Sequence, residues 1–342
     1  MKESVGIRNA AGAEMNDSLL LEVEHLRVHF RPRSTLFRRS LVKAVDRMSF
    51  TVARGEIVAV VGESGSGKTT LGRAILRLAP VSGGSVRFAG LDVATLDRRQ
   101  LKAYRRRAQV VFQDPYASNS PFMTVGEQLR EPLAVHDIGS GHSQTTAVHR
   151  ALERVRLTPP EDYIDKYPHT MSGGQRQRVC IARALMLDPE FIVADEPVSM
   201  IDASSRAEIL SLLRELQERH GVTFLYITHD IASARHFSDR ALVMYLGTAV
   251  EIGPSASVIE QPLHPYTRGL VAAVPEPDPG NRHTLRPVIP GEPPSASDVP
   301  PGCPFHTRCS EAIRGRCEVT RPELQEVVPG HSVACHLYEG SV

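Results

Sequence analysis

The strongest constraint on this chain is a glycine-rich segment, Gly62-Glu63-Ser64-Gly65-Ser66-Gly67-Lys68-Thr69, lying directly behind the apolar run Ile57 to Val61 and ahead of a helical pattern. A continuous β-branched run bounded by Gly55 and Gly62 indicates a strand covered on both faces, as in parallel sheets. Strand, glycine loop and helix in that order form a phosphate cradle. The glycines let successive backbone N–H groups turn toward an anion, and the helix N-terminus adds partial positive charge. Lys68 is expected to reach the β- and γ-phosphates of a nucleotide, Thr69 to ligate Mg²⁺, and Thr70 to bind beside it at the helix start. The bland alternative, a glycine turn with an incidental lysine, does not explain why both a strand and a helix flank the loop.

Strand patterns at Leu19 to Phe30 and Val42 to Val52 precede the loop, separated by a basic insert. Short apolar runs recur at Ala108 to Phe112, Phe191 to Ala194, Val222 to Thr228 and Ala241 to Leu246, with helical patterns near 98–107, 173–187 and 203–219. This alternation predicts an α/β fold: a P-loop core with a parallel sheet and an antiparallel β edge. Residues 113–188 carry helical periodicity with almost no strand signal and read as a helical subdomain. The expected organisation is a loose tail over 1–18, the nucleotide-binding domain over 19–260, and a small irregular Cys-rich domain over 261–342, reached through the Pro- and Gly-rich stretch Pro275 to Gly302. No internal repeat is present, which excludes two copies of one cassette.

Phe191-Ile192-Val193-Ala194-Asp195-Glu196 is an apolar strand ending in two carboxylates. At the carboxyl end of a parallel strand beside a phosphate loop, Asp195 is placed to hold Mg²⁺ and Glu196 to orient and deprotonate an attacking water. Strand-end carboxylates alone are usually solvated, so the upstream loop is what raises this pair. Ser172 and Gln175, in Met171-Ser172-Gly173-Gly174-Gln175, have the spacing of a helix capping box. A capped helix with two glycines at its mouth also offers bare N–H groups to an anion, and that anion can belong to another chain.

With these motifs in order, the chain from about Leu19 resembles the ATP-binding subunits of ATP-binding-cassette transporters. Met171 to Gln175 is similar to the family's LSGGQ motif, Gln113 to its Q-loop glutamine, Ser199 to Asp202 to its D-loop and His229 to its switch histidine. The resemblance implies a head-to-tail pair of cassettes in which each ATP lies between the glycine loop of one chain and the Ser-Gly-Gly motif of the other. Ser172 and Gly174 would then bind the γ-phosphate held by the partner, with Asp202 at the same junction. Gln113 and His229 would sense the γ-phosphate within this chain, Gln113 also joining the Mg²⁺ site. An aromatic after the first strand is expected to stack on adenine, with Phe30 and Phe37 both available.

Val111 to Ser118, His264-Pro265-Tyr266-Thr267-Arg268 and the tail around Cys303 and Cys309 are similar to the oligopeptide/dipeptide branch of that family. Met200-Ile201 and Asn119-Ser120-Pro121 depart from its usual residues. The resemblance implies a subunit of a bacterial importer, peripheral on the cytoplasmic face of the inner membrane, with a second ATPase subunit, two transmembrane permeases and an extracytoplasmic solute-binding protein. Cys303, Cys309, Cys317 and Cys335 have five, seven and seventeen residues between them, which fits neither common zinc knuckles nor a ferredoxin run. Four thiolates suit a soft metal, and the resemblance implies a [4Fe–4S] cluster, with zinc or no metal as alternatives. Cys180, alone in a helical pattern, reads as a small buried apolar residue.

The charge balance narrows the classes further. Forty Lys+Arg against thirty-nine Asp+Glu leave +1, far from the excess of a dedicated nucleic-acid binder. Arg98, Arg99, Lys102 and Arg105 to Arg107 read as a solvated helix face, since only Tyr104 is interleaved. No apolar run approaches the roughly 20 residues of a membrane span. Met1 to Ser18 carries acidic residues and no apolar core, unlike a secretory signal. The competing class, a soluble cassette ATPase acting on nucleic acid or ribosomes, usually brings a long coiled coil or tandem cassettes, and neither pattern occurs here.

Overall fold

The computed structural model describes residues 18–31, 41–274 and 289–340. Phe37 and most of the expected tail lie outside them. Two long strands, β1 (Leu19–Phe30) and β2 (Val42–Ala53), pair antiparallel and are followed by the short β3 (Ile57–Val61). Next come β4 (Gly83–Phe88), β5 (Leu91–Asp92), β6 (Ala108–Val111), β7 (Phe191–Asp195), β8 (Thr223–Thr228), β9 (Arg240–Tyr245), β10 (Thr248–Pro254), β11 (Gln325–Val328) and β12 (His331–Val333). One antiparallel sheet has the order β2-β1-β4-β5, and a larger sheet has the order β11-β12-β10-β9-β3-β8-β7-β6. Strands β9, β3, β8, β7 and β6 run parallel, while β10, β12 and β11 continue the sheet antiparallel.

All five residues of β3 are fully buried, because the sheet is covered on both sides. Alternate side chains of a strand point to opposite faces. Accordingly Ile57, Ala59 and Val61 enter one core, packed against helices of the 113–188 region. Val58 and Val60 enter another, with the antiparallel sheet and the helix Lys68–Ile75. Strand β9 divides in the same way, sending Leu242 and Met244 to the second core and Ala241, Val243 and Tyr245 to a third. That third core holds Tyr266, Phe305, Cys303 and Cys317, so the C-terminal region packs on the nucleotide domain's own sheet.

Between β6 and β7 the described chain is helical without strands, through Val125–Val135, His142–Arg154 and Gly173–Leu185 with shorter turns between them. Strands β4, β10, β11 and β12 carried no clear sequence signal. Strand β4 opens on Gly83-Gly84, which dilutes a strand pattern, and β11 and β12 have only four and three residues. They form a hairpin whose β12 pairs with β10, placing two strands of the C-terminal region on the main sheet. Apart from this hairpin, the described residues 289–340 are mostly turns and short 3-10 segments.

Leu225 of β8 is completely buried in the second core, beneath the phosphate loop's helix. Leu225→Ala is expected to destabilise the chain by about 2–5 kcal/mol through lost burial and an incompletely collapsed cavity. Urea unfolding of the variant beside the wild type measures it.

Candidate functional site

The carboxyl ends of β3, β7 and β8 open toward one cavity of about 610 Å³, lined by the glycine loop and by Gln113, Glu196 and His229. The loop leaves β3 at Gly62 and enters the helix Lys68–Ile75 through Gly67, whose φ is 100°. A side chain at Gly67 would overlap the Ala44 carbonyl oxygen, and one at Gly62 would overlap the Met244 carbonyl oxygen. Both glycines are therefore required by close backbone approach, and Gly67 by its conformation as well.

Lys68 is 5% exposed. Its Nζ donates to the Gly62 and Glu63 carbonyl oxygens at 2.8 and 2.9 Å, with Ser66 Oγ at 3.5 Å. Burial pulls this ammonium below its ordinary pKa, while Glu196, Asp195 and Glu63 act in the opposite direction. Thr69 Oγ1 donates to Asp195 Oδ1 at 2.9 Å, bringing together two residues expected at a metal. Asp195 is buried, and burial raises its carboxyl above the ordinary range, with the Glu196 charge adding to the rise; the Thr69 hydrogen bond, Arg73 and Lys68 oppose it.

Glu196 follows β7 with φ at 44°, an uncommon conformation for a residue with a side chain. Its N–H donates to the Ile227 carbonyl of β8, fixing the strand end. Gln113 Nε2 donates to Glu196 Oε2 at 2.9 Å, and His229 Nδ1 lies 3.2 Å from the same oxygen. Three residues separated widely in sequence thus meet at one carboxylate oxygen.

Ser172 and Gly174 do not line this cavity. Ser172 and Gln175 form the capping box, with Gln175 N donating to Ser172 Oγ at 3.3 Å and Ser172 N to Gln175 Oε1 at 3.0 Å. Gly174 faces the Ser205 side chain, close to Asp202, which caps the helix Ala203–His220 by accepting from Ser205 N at 2.9 Å. Phe30 also lies off the cavity wall and is 37% exposed, although its cross-strand partner Val42 lines the wall. Ala44 and Ala296 share that end of the cavity, and Lys43 N donates to the Ala296 carbonyl at 3.0 Å. No sequence signal marked Ala296. Nor was there one for Arg308, which reaches Glu63 from the C-terminal region through two hydrogen bonds of 2.8 and 3.2 Å.

The four tail cysteines are all unbridged, and Cys303 feels the charges of the other three. Burial pushes Cys303 up to about 12 and Cys335 up to about 11. Among the described residues, no group of three or more His, Cys, Asp or Glu is arranged to hold a metal ion. The placement of the thiols therefore gives no support to the iron–sulfur expectation. Cys180 is buried, and Asn119 Nδ2 lies 3.1 Å from its sulfur. In the basic helix, Arg107 pairs with Glu190 and Lys102 with Asp137, so part of its charge is balanced within the chain. No helix of the described residues is long and apolar enough to cross a membrane.

A covered parallel sheet carrying a glycine loop, a buried lysine and paired strand-end carboxylates defines a P-loop cassette of the nucleotide-hydrolysing class. Residues 45–199 match the family model described as ABC transporter, and residues 250–317 match the model for the oligopeptide/dipeptide transporter C-terminal region. A relative in Brucella ovis, named for peptide import and ATP binding, is 49% identical over 321 residues, covering 94% of this chain and 98% of its own. The oligopeptide transport ATP-binding protein AppF of Bacillus subtilis is 44% identical over 327 residues, covering 94% and 98% respectively. Among solved structures, the dimeric post-hydrolysis state of the ATP-binding cassette MJ0796 bound to ADP and Pi is similar, with a TM-score of 0.61 at 29% identity, covering 69% of this chain and 99% of that one. The chain belongs to the ATP-binding-cassette transporter family, within its oligopeptide/dipeptide branch, and is an ATPase coupled to transport.

Gly67→Ala tests the loop geometry directly. A Cβ there meets the Ala44 carbonyl in a conformation unfavourable for alanine, a strain on the order of 1–3 kcal/mol. ATP affinity is expected to fall by roughly tenfold or more, with the far-ultraviolet circular dichroism of the wild type retained; equilibrium ATP binding reads the change.

Proposed function

We propose that this chain is the ATP-hydrolysing subunit of an importer for di- and oligopeptides or similar small solutes. In this reading it sits peripherally on the cytoplasmic face of the inner membrane, beneath two permeases supplied by an extracytoplasmic solute-binding protein. A second cassette, identical or related, completes its ATP sites. The observation that carries the pairing is that Ser172 and Gly174 stand away from the cavity holding Lys68, Glu196 and His229. Each chain then supplies one half of two composite sites.

Within one half-site, Lys68, Thr70 and the loop N–H groups from Gly62 to Thr69 bind the phosphates. Thr69, Asp195 and Gln113 are the residues that would hold Mg²⁺, which neutralises phosphate charge in phosphoryl transfer. Glu196 accepts a proton from the attacking water as its oxygen bonds to the γ-phosphorus and the bond to the ADP oxygen breaks. His229 and Gln113 orient Glu196 through their shared oxygen. Phe30 stacks on adenine next to Val42, while Ser172, Gly174 and Asp202 meet the partner's nucleotide. Closure of the pair around ATP and reopening after hydrolysis drive the permeases, because ATP spanning both halves favours the closed state alone.

We further propose that Cys303, Cys309, Cys317 and Cys335 serve as a thiolate site for a soft metal, iron–sulfur in preference to zinc. Their thiolate donor chemistry supports the reading, and no step of ATP hydrolysis passes through them. Anaerobic purification is expected to yield protein-bound iron with absorbance near 400 nm. Protein purified in this way with no iron or zinc bound and no absorbance near 400 nm would end this proposal.

Glu196→Gln is expected to retain ATP binding and lose turnover by on the order of 100-fold or more. Steady-state hydrolysis beside equilibrium binding separates the two effects. For the assembly, affinity capture from detergent-solubilised membranes of the native host is expected to bring down two polytopic permeases and a second cassette. Recovery of soluble partners or nucleic acid alone would overturn the transport reading.

A further inference from the structure

Glu63 is the second residue of the glycine loop, yet its carboxylate turns to the C-terminal region. Arg308 Nη1 donates to Oε2 at 2.8 Å and Arg308 Nη2 to Oε1 at 3.2 Å, a two-point contact. Arg308 is buried, and its Nε donates to the Pro290 carbonyl at 3.0 Å, which fixes the plane of the guanidinium. The Glu63 N–H donates to the Tyr266 hydroxyl at 2.9 Å, and Tyr266 is fully buried against Tyr245 and Phe305. The Glu63 carbonyl in turn accepts from Lys68 Nζ and from Ser66 N at 3.2 Å. A side chain and a hydroxyl from beyond residue 261 thus hold the residue whose carbonyl holds the phosphate-binding lysine.

We propose that Arg308 is a positioning residue of the nucleotide site, setting the shape of the phosphate loop through Glu63 and so tying ATP affinity to the C-terminal region. The two-point contact and the Tyr266 hydrogen bond restrict Glu63 from both its side chain and its backbone. The Glu63 carbonyl is thereby kept where Lys68 and Ser66 meet it. The inference rests on the nucleotide reading of the loop, which wild-type ATP binding and its loss in Lys68→Ala check separately.

The experiment measures equilibrium ATP affinity and hydrolysis at saturating ATP for the full chain and its Arg308→Gln, Arg308→Lys, Glu63→Gln and doubly glutamine-substituted forms. Positioning predicts that Arg308→Gln weakens ATP by roughly tenfold, with turnover at saturation within about twofold, as expected when ground-state and transition-state binding are lost together. Arg308→Lys keeps the charge without the fork and should lie between it and the wild type. Glu63→Gln is discriminating in sign. Removing a carboxylate beside a phosphate site should by charge alone tighten ATP, whereas positioning predicts weaker binding. It also reads the same contact should Arg308→Gln fail to fold. The double variant should bind about as weakly as the worse single one, because both break one contact. A lower thermal midpoint with unchanged ATP affinity would assign Arg308 to packing and overturn the proposal. So would tighter binding in Glu63→Gln, or strictly additive losses.

Discussion

Everything at the nucleotide site depends on how closely the glycine loop is drawn to the backbone around it. Gly62 and Gly67 approach the carbonyls of Met244 and Ala44, which belong to different sheets. The loop is therefore clamped where the parallel sheet meets the antiparallel one, and Lys68 is buried as a consequence. An ammonium withdrawn from water needs oxygen acceptors. Here the Gly62 and Glu63 carbonyls provide them, so the cation is held at the mouth of its helix by the loop that is to receive the phosphate. An incoming polyphosphate would offer it a stronger anionic partner in the same place.

That clamp extends into the C-terminal region, which is joined to the core through buried polar contacts as well as apolar packing. Glu251 of β10 is completely buried; it accepts from Leu263 N and His264 N and lies 2.7 Å from His331 Nε2 of β12. Two segments, residues 263–264 and β12, converge on this carboxylate of β10, which fixes the register of the added hairpin. His264, buried against the same group, is pulled down to about 4 by burial and so stays neutral, its Nδ1 accepting from Tyr266 N. The hydrogen bond from Glu63 N to the Tyr266 hydroxyl then links this framework to the phosphate loop.

The sequence displayed those parts of the fold whose chemistry is local. Ile57 to Val61, the glycines after it and the carboxylates after Ala194 are contiguous, and their physics requires them to be so. The core strands could be read because burial on both faces demands uninterrupted apolar runs. Strand β4 escaped because its glycines break the pattern, and β12 because three residues carry no periodicity. At the site, Gln113, Glu196 and His229 were legible as motif residues, but their meeting at one oxygen of Glu196 is a tertiary fact. Arg308 lay beyond reach altogether. It stands 245 positions from Glu63, next to Cys309, and nothing in its sequence neighbours marks an arginine that will be buried. Phe30 is a different case: its position after the first strand suggested it, and strand pairing sets it across from Val42, which lines the cavity with Ala44 and Ala296.

The helix Gly173–Leu185 is where the proposed pairing of cassettes would act. Its capping box commits the Ser172 hydroxyl oxygen to Gln175 N and the Gln175 amide oxygen to Ser172 N, leaving other N–H groups of the first turn without partners inside the helix. The positive end of thirteen aligned residues is thus presented next to the Asp202 junction. The cavity at the phosphate loop is lined by the loop, Gln113, Glu196 and His229, and neither Ser172 nor Gly174 is among its lining residues. In the proposed pair, the helix mouth of one cassette would meet the phosphate held by the other. Contact of that kind would make ATP binding and cassette closure a single equilibrium.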